Sequence, residues 1–519
     1  MKLTLRAGLV GCEPSRDSMV WSWFDLISIL IVCTISFYAS GIGFIASDDF
    51  GYIEAARGWL HHFPFISNFF GDLRHPAVLP MAASIAVLGD SEFAAELPNI
   101  AYTFGCVVIS YFGLMALVDR WTGLIAATLL AISPLFSELS TTPGVDVPEL
   151  FFVVASVFTF LFGIQRKCFW PVFFVAGIMS GFALSARESS VEIFIFYGIL
   201  FLAGFGGRRH IYWVMAAGFF AVPLSEMAIY ALTVGDPLHR IHAVLSAFSQ
   251  PDPKGTTGFV DFSATRIFDV SPFIDPFIFA VAHPKFALIF PVGVGAIVWA
   301  FRAKREGLDS RGLVLIWGLL AGISFLLAAS VLSYLALLPR YYLVSAFGMI
   351  AAVAVWMRSG LWPYYRRTCI ALASVLVLAS VSGSAIANKS PLFAEHVLAT
   401  VARASTDRIH TDVETAYRAT LLIQWANAAD RVTSDPPGPN DLYLFNPKYV
   451  GKTTPRTTAT GRVVSPVQPA WVAVQRFEEP ERPLSVMLRS IGLYRLLPAA
   501  LVRRIAAPNP PVVLYRLPP

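Results

Sequence analysis

The chain has 519 residues, of which 56% are hydrophobic and only 14% charged, with a formal net charge of +5. Soluble domains carry roughly 25% charged residues, so a mean hydropathy of +0.63 excludes an ordinary water-soluble enzyme and indicates a polytopic membrane protein. The small positive excess reads as loop orientation and not as a nucleic-acid surface.

Lys2, Arg6 and Arg16 precede the first apolar run, which extends from about Trp21 to Ile45. That run is too long for a signal-peptide core and has no convincing cleavage site, so it reads as an uncleaved first span. Further windows of spanning length fall near 93–117, 121–138, 148–164, 170–186, 189–204, 211–233, 286–301, 312–336, 340–357 and 368–387. Together these make about eleven spans. Segment 76–90 is apolar but short and interrupted by Pro80, which leaves a span or an interfacial helix.

Basic residues decide between the two. If 76–90 does not cross, Arg120, Arg166-Lys167, Arg208-Arg209, Arg302-Lys304-Arg305-Arg311 and Arg358-Arg366-Arg367 all share the cytoplasmic side with the N-terminus. The fold expected is mainly α: a cytoplasmic segment 1–20, a transmembrane domain 21–387, and a small extracytoplasmic α/β domain 388–519. Loop 46–92 is expected as a lid of short amphipathic helices in the membrane interface, with Trp59, Leu60 and Phe63 toward lipid. Loop 234–285 is expected as a partly ordered cover. In the tail, a helix is expected over 411–429 and strands over 442–445 and 512–515. There is no internal repeat.

Motifs for soluble chemistry are missing: no Gly-rich phosphate loop, CxxC pair or HExxH occurs. Cys12, Cys33, Cys106, Cys168 and Cys369 lack metal spacing and fall outside the extracytoplasmic loops, so no structural disulfide is expected. The informative stretch is Ser47-Asp48-Asp49-Phe50-Gly51-Tyr52-Ile53-Glu54-Ala55-Ala56-Arg57. Ionisable groups kept at a membrane boundary face water-filled cavities and are often functional. Asp48 and Asp49 qualify, although two adjacent acids could also simply mark the water-exposed end of a span, and Asp146 sits at another outer helix end. Converging carboxylates could take a proton from an acceptor or hold a divalent cation; Asp146 could also simply cap a helix. Arg187 and Arg340 lie on the side where basic residues are uncommon. Each suits a lipid phosphate through its planar fork, although Arg187 could instead pair with Glu188 or another carboxylate. His239 and His242, three apart, could be ligands, but they and His61-His62 read first as solvated loop histidines, and Trp425 and Asn427 as structural.

These motifs resemble the GT-C superfamily, in particular bacterial relatives of the protein O-mannosyltransferases and of the lipid A aminoarabinose transferases. The family's first outer loop begins Asp-Glu, followed by Tyr, Glu and Arg at the spacing of Asp48, Asp49, Tyr52, Glu54 and Arg57. His75-Pro76-Ala77 stands where the family has a basic residue and two prolines. Glu96-Leu97-Pro98-Asn99, the run Ala126 to Leu135 followed by Asp146, Ser185-Ala186-Arg187-Glu188 and Leu338-Pro339-Arg340-Tyr341 are similar to other recurring family positions. The resemblance implies a glycosyltransferase of the bacterial inner membrane, its active site facing the periplasm. Its donor would be a polyprenyl-phosphate sugar, and its acceptor an envelope glycan, lipid (lipopolysaccharide included) or protein. Asp48, Asp49 and Asp146 would be catalytic, and Tyr52, Glu54, Arg57, His75, Arg187, Arg340 and Tyr341 would bind substrate. Arg74 stands where the family often has an acid, which argues against a bound metal at that place, and a divalent metal ion is left open. A transporter or flippase of lipid-linked saccharides is the competing reading; it would favour repeats and midplane charges, whereas here the charges gather at one face.

Overall fold

The computed structural model describes residues 16–249, 274–302, 310–330, 337–387, 391–452, 468–495, 497–506 and 509–519. Lys2, Arg6, Cys12, Lys304, Arg305, the middle of loop 234–285 and the end of window 312–336 lie outside them.

The first part of the chain is helical: α1 (Arg16–Ser40), α2 (Asp48–His61), α3 (His75–Leu88), α4 (Glu92–Leu117), α5 (Arg120–Ala131), α6 (Pro134–Leu139), α7 (Asp146–Arg166) and α8 (Trp170–Ala186). There follow α9 (Val191–Leu202), α10 (His210–Thr233), α11 (His239–Ser249), α12 (Asp275–Ala282), α13 (Ile289–Arg302), α14 (Ser310–Ser330), α15 (Leu343–Trp356) and α16 (Arg366–Ala387). Among the described residues, seven segments are long and apolar enough to cross a membrane: most of α1, then α4, α7, α10, α14, the stretch Pro339–Leu361 around α15, and α16. Helices α3, α8 and α13 are apolar but shorter. The protein is therefore a multi-pass membrane protein with a small added sheet.

Local chemistry sets the boundaries. Ser91 caps α4 by accepting from the Ala94 N–H at 3.3 Å, and Asp119 caps α5 by accepting from the Thr122 N–H at 2.8 Å. The single window expected over 121–138 is instead two helices. Pro134 lacks an N–H, so it cannot continue α5 and serves as the first residue of α6. At the bundle centre, every residue of α15 from Leu343 to Val355 is buried. Trp317 of α14 packs against Phe158 of α7 and Phe347 of α15 at ring distances of 4.9 and 5.5 Å. Helices α8 and α10 approach backbone to backbone: a Cβ on Gly177 would strike the Met215 carbonyl, and one on Gly218 the Phe174 carbonyl. Small residues at such crossings allow close van der Waals packing where water supplies no driving force.

The C-terminal unit contains α17 (Phe393–Ala404), β1 (Ile409–Thr411), α18 (Val413–Arg418), α19 (Thr420–Trp425), β2 (Val432–Thr433), β3 (Leu442–Phe445), β4 (Val472–Phe477), α20 (Pro483–Ser490), α21 (Ala499–Ala506) and β5 (Val512–Arg516). The sheet order is β2-β1-β3-β5-β4. β1 pairs parallel with β2 and β3, while β5 pairs antiparallel with β3 and β4. The expected strands are present as β3 and within β5. The helix expected over 411–429 is shorter and divided. Residue 411 ends a strand, Asp412 caps α18 by accepting from the Thr415 N–H at 2.8 Å, and Asn427 at φ +53° closes the segment.

The two units share a core that includes residues of α2 and α3 from loop 46–92. Tyr52, Ile53, Ala55 and Ala56 of α2 and Val78 and Met81 of α3 are buried in one cluster with Leu398, Leu421 and Leu422 of the C-terminal unit. The apolar face of α2 therefore packs against protein. Leu60 and Phe63 beyond it are exposed.

Candidate functional site

The site lies where the turn before α2, the starts of α7 and α15, and the end of α8 meet. After α1, the chain passes Thr141, whose hydroxyl accepts from the Gly43 N–H at 3.1 Å. A Cβ on Gly41 would run into that same threonine, and Gly43 adopts φ +66°, so glycine suits both positions. Asn99 of α4 donates to the Thr142 carbonyl. The loops that carry Asp48 and Asp146 are thus tied to each other and to the bundle.

The two adjacent acids have different surroundings. Asp49 is 2% exposed, and its carboxylate accepts backbone N–H groups of Ile45 and Ser47 at 2.5 Å and of Phe50 at 3.1 Å. Burial pushes it up to about 6, against those three donors. Asp48, first residue of α2, is half exposed and faces Arg340, whose Nη2 lies 2.9 Å from its Oδ2.

Asp146 is the first residue inside α7, with Val145 at the cap position, so it is not the helix cap. It pairs with Arg187 Nη1 at 2.6 Å, and Glu149, one turn on, accepts from the same nitrogen at 3.0 Å. Ser189 and Ser190 donate to the other Glu149 oxygen at 2.7 and 2.9 Å. Tyr341 joins the two arginines: its ring lies 4.9 Å from the Arg187 guanidinium carbon and 5.6 Å from that of Arg340. Tyr52 accepts from Arg74 Nη1 at 2.5 Å.

A chain of alternating charges leads away from this cluster. Arg74 meets Glu188 at 2.8 Å, Glu188 meets Arg240 at 2.9 Å, Arg240 meets Glu226 at 3.1 Å, and Glu226 meets His75 at 3.1 Å. Burial alone would raise Glu188, but Arg74 and Arg240 hold its carboxyl down to about 2.

The structure therefore brings Asp48, Tyr52, Asp146, Arg187, Arg340 and Tyr341 together, with Asp49 directly beneath. His75 stands at the far end of the charge chain, edge-on to Trp59. Glu54 and Arg57 turn toward the C-terminal unit. Arg57 bonds Glu54 at 2.6 Å, Asp90 and Gln424 at 2.7 Å. Of the histidines, His239 is buried against the Ser67 carbonyl at 2.9 Å, while His242 pairs with Asp236. Sequence reasoning gave no role to Arg74, Glu149, Arg240 or Glu226. Glu149 was accessible to it, because three residues after Asp146 is the same helix face.

Two guanidiniums, Arg187 and Arg340, among carboxylates suit a phosphate beside a proton acceptor. A divalent cation suits the site poorly. Asp48 and Asp146 are each engaged by an arginine, and among the described residues no three His, Cys, Asp or Glu side chains are grouped to hold a metal.

Residues 75–229 match the model of the dolichyl-phosphate-mannose-protein mannosyltransferase family. No curated protein matches the chain. Among solved structures, ArnT from Cupriavidus metallidurans in the apo state is similar at 12% identity and a TM-score of 0.51, over 88% of this chain and 96% of that one. The Archaeoglobus fulgidus oligosaccharyltransferase, solved with zinc and sulfate, is similar at 16% identity and a TM-score of 0.50, over 79% of this chain. This chain spans only 62% of the archaeal protein's length. The architecture is that of the GT-C superfamily glycosyltransferases, which the chain resembles.

Proposed function

We propose that this GT-C-fold protein transfers a sugar from a polyprenyl-phosphate donor to an acceptor outside a bacterial inner membrane, at a site facing the periplasm. The observation that carries the reading is the Arg340–Asp48 pair at 2.9 Å beside the Tyr341 ring. It sets a guanidinium, a group suited to phosphate, next to a partly exposed carboxylate at one end of an apolar bundle. The match of residues 75–229 to a family named for a lipid-phosphate sugar supports the same donor class.

In the proposed reaction the donor phosphate takes Arg340 through a bidentate contact, and Asp48 is released toward the acceptor. Asp48 accepts the proton of the acceptor hydroxyl or amine. The freed lone pair attacks the anomeric carbon, the bond from that carbon to the phosphate oxygen breaks, and the electron pair stays on the departing polyprenyl phosphate. One displacement inverts the centre. Arg340 stabilises the charge that grows on the leaving oxygen, an effect that is larger in a site shielded from water. Arg187, held by Asp146 and Glu149, fixes the Tyr341 ring. Asp49 shapes the turn that presents Asp48, and Tyr52 with Arg74 closes the opposite wall.

Mass spectrometry of envelope glycans and glycolipids from a deletion strain, with and without the complementing gene, tests this reading. Loss of one sugar mass on deletion, restored by the gene, is expected and identifies the sugar and the acceptor together. Unchanged glycans with lipid-linked precursors accumulating on the cytoplasmic side would instead point to a transporter.

A further inference from the structure

We propose that Arg418, in the C-terminal α/β unit, is a positioning residue for the Asp48–Asp49 turn. Docking of that unit would then set the geometry of the acid. This deepens the reading of Asp48 as the acceptor's proton acceptor and rests on it.

Arg418 ends α18, and its Nη2 donates to the Ile45 carbonyl at 2.8 Å. The N–H of that same Ile45 donates to Asp49 Oδ2 at 2.5 Å. One residue is thus held on one side by the C-terminal unit and on the other by the acid pair. The next residue, Ala46, has φ +51°, a left-handed conformation that side chains with a Cβ adopt only under constraint. A guanidinium-to-carbonyl bond is charge-assisted and directional, which suits it to that constraint.

Arg418 is itself braced. Glu395 is 1% exposed, its Oε1 lies 3.8 Å from Arg418 Nε, and it accepts from the Tyr449 hydroxyl at 3.4 Å. On the other flank of the acids, Tyr417 stacks on Phe50 at 5.7 Å with an interplanar angle of 26°. Residues 417 and 418 therefore grip the chain at 50 and 45, with Asp48 and Asp49 between. Trp425 also borders the turn, edge-on to Phe44 at 5.6 Å, and donates to Asp90 at 2.8 Å. A contact farther along α2, Arg57 to Gln424 at 2.7 Å, joins the same two units and serves as the control for ordinary interface adhesion.

The test is hydrogen exchange by mass spectrometry on the full-length protein purified in detergent, comparing wild type, Arg418→Ala and Gln424→Ala. Arg418→Ala is expected to speed exchange of the Ile45, Ser47 and Phe50 amides roughly tenfold, and Gln424→Ala to leave them as in wild type. Undecaprenyl phosphate affinity of the purified protein should stay within about twofold, because Arg340 keeps its place, while sugar transfer in the complemented host falls roughly tenfold or more. Unchanged exchange over 44–51 in Arg418→Ala, or equal acceleration by Gln424→Ala, would overturn the proposal. If Arg418→Ala also opens β1 and β3, Arg418→Met decides, since it keeps the apolar stem and removes only the donors. The exchange result does not depend on turnover. An Asp48→Asn strain with intact glycans would therefore overturn the catalytic reading while leaving the exchange result to decide whether Arg418 holds the turn.

Discussion

Arg340 donates to Asp48 at 2.9 Å, so the cation that opens the α15 segment and the acid that opens α2 meet across 292 positions of sequence. Their side chains are 27% and 52% exposed. Exposed pairs of this kind contribute only about 0–1 kcal/mol, so an incoming donor phosphate can displace the contact. Arg340→Ala is accordingly expected to leave thermal unfolding in detergent nearly unchanged while weakening undecaprenyl phosphate binding about tenfold or more. Arg340→Lys should recover little of that affinity, because an ammonium lacks the planar fork. Wild-type affinity in both variants would remove Arg340 from the donor site.

Arg187 should behave in the opposite way. It and its partners Asp146 and Glu149 are 10%, 10% and 4% exposed. Removing one member of a buried ion cluster costs about 3–5 kcal/mol, since the remaining charges are left uncompensated. Arg187→Ala is therefore expected to lower the unfolding temperature and the membrane level of the protein. Neutralising the partners in the same chain, Asp146→Asn with Glu149→Gln, should restore part of the loss. A fully stable Arg187→Ala protein would contradict this assignment.

Asp49 is expected to act through the backbone. With its carboxylate bound to three N–H groups, Asp49→Ala should loosen the turn by on the order of 3 kcal/mol and raise exchange over 44–51. Asp49→Asn keeps an acceptor oxygen and should lie between. If Asp49→Ala left exchange unchanged while abolishing transfer, a direct chemical role for Asp49 would replace the scaffolding one.

Acid should expose two opposing effects. Glu188 is held down to about 2 from an ordinary 4.5, so its contribution to stability is complete above about 4.5 and is lost as pH falls toward 2. Asp49 is pushed up to about 6 from 3.8, so the folded protein binds more protons than the unfolded chain between those values. Its contribution therefore declines as pH rises through that window. Unfolding temperatures from pH 3 to pH 7 should show the gap between wild type and Glu188→Gln closing in acid. A gap independent of pH would show that the Arg74–Glu188–Arg240 chain does not hold Glu188 ionised.

How much of this was legible beforehand depended on distance along the chain. Asp48, Asp146, Arg187 and Arg340 stood out because charged residues at the ends of apolar windows are few, and the structure gathers all four. The alternating chain from Arg74 to His75 was hidden, because its pairs join segments as far apart as 74 and 188, or 75 and 226. Glu54 and Arg57 have the helical spacing that singled them out, but spacing gives no direction. Their helix turns them to Asp90 and Gln424, because its opposite face is buried in a core shared with the C-terminal unit. Strands β1 and β2, of three and two residues, are too short for an alternating pattern to register.

The central claim is that Asp48 takes the acceptor's proton, and the most direct measurement is envelope-glycan mass spectrometry on a deletion strain carrying Asp48→Asn at wild-type membrane levels. The account predicts that the transferred sugar falls by about 10²–10⁴-fold, while the purified variant still binds undecaprenyl phosphate and unfolds at the wild-type temperature. A complete glycan in that strain would contradict it.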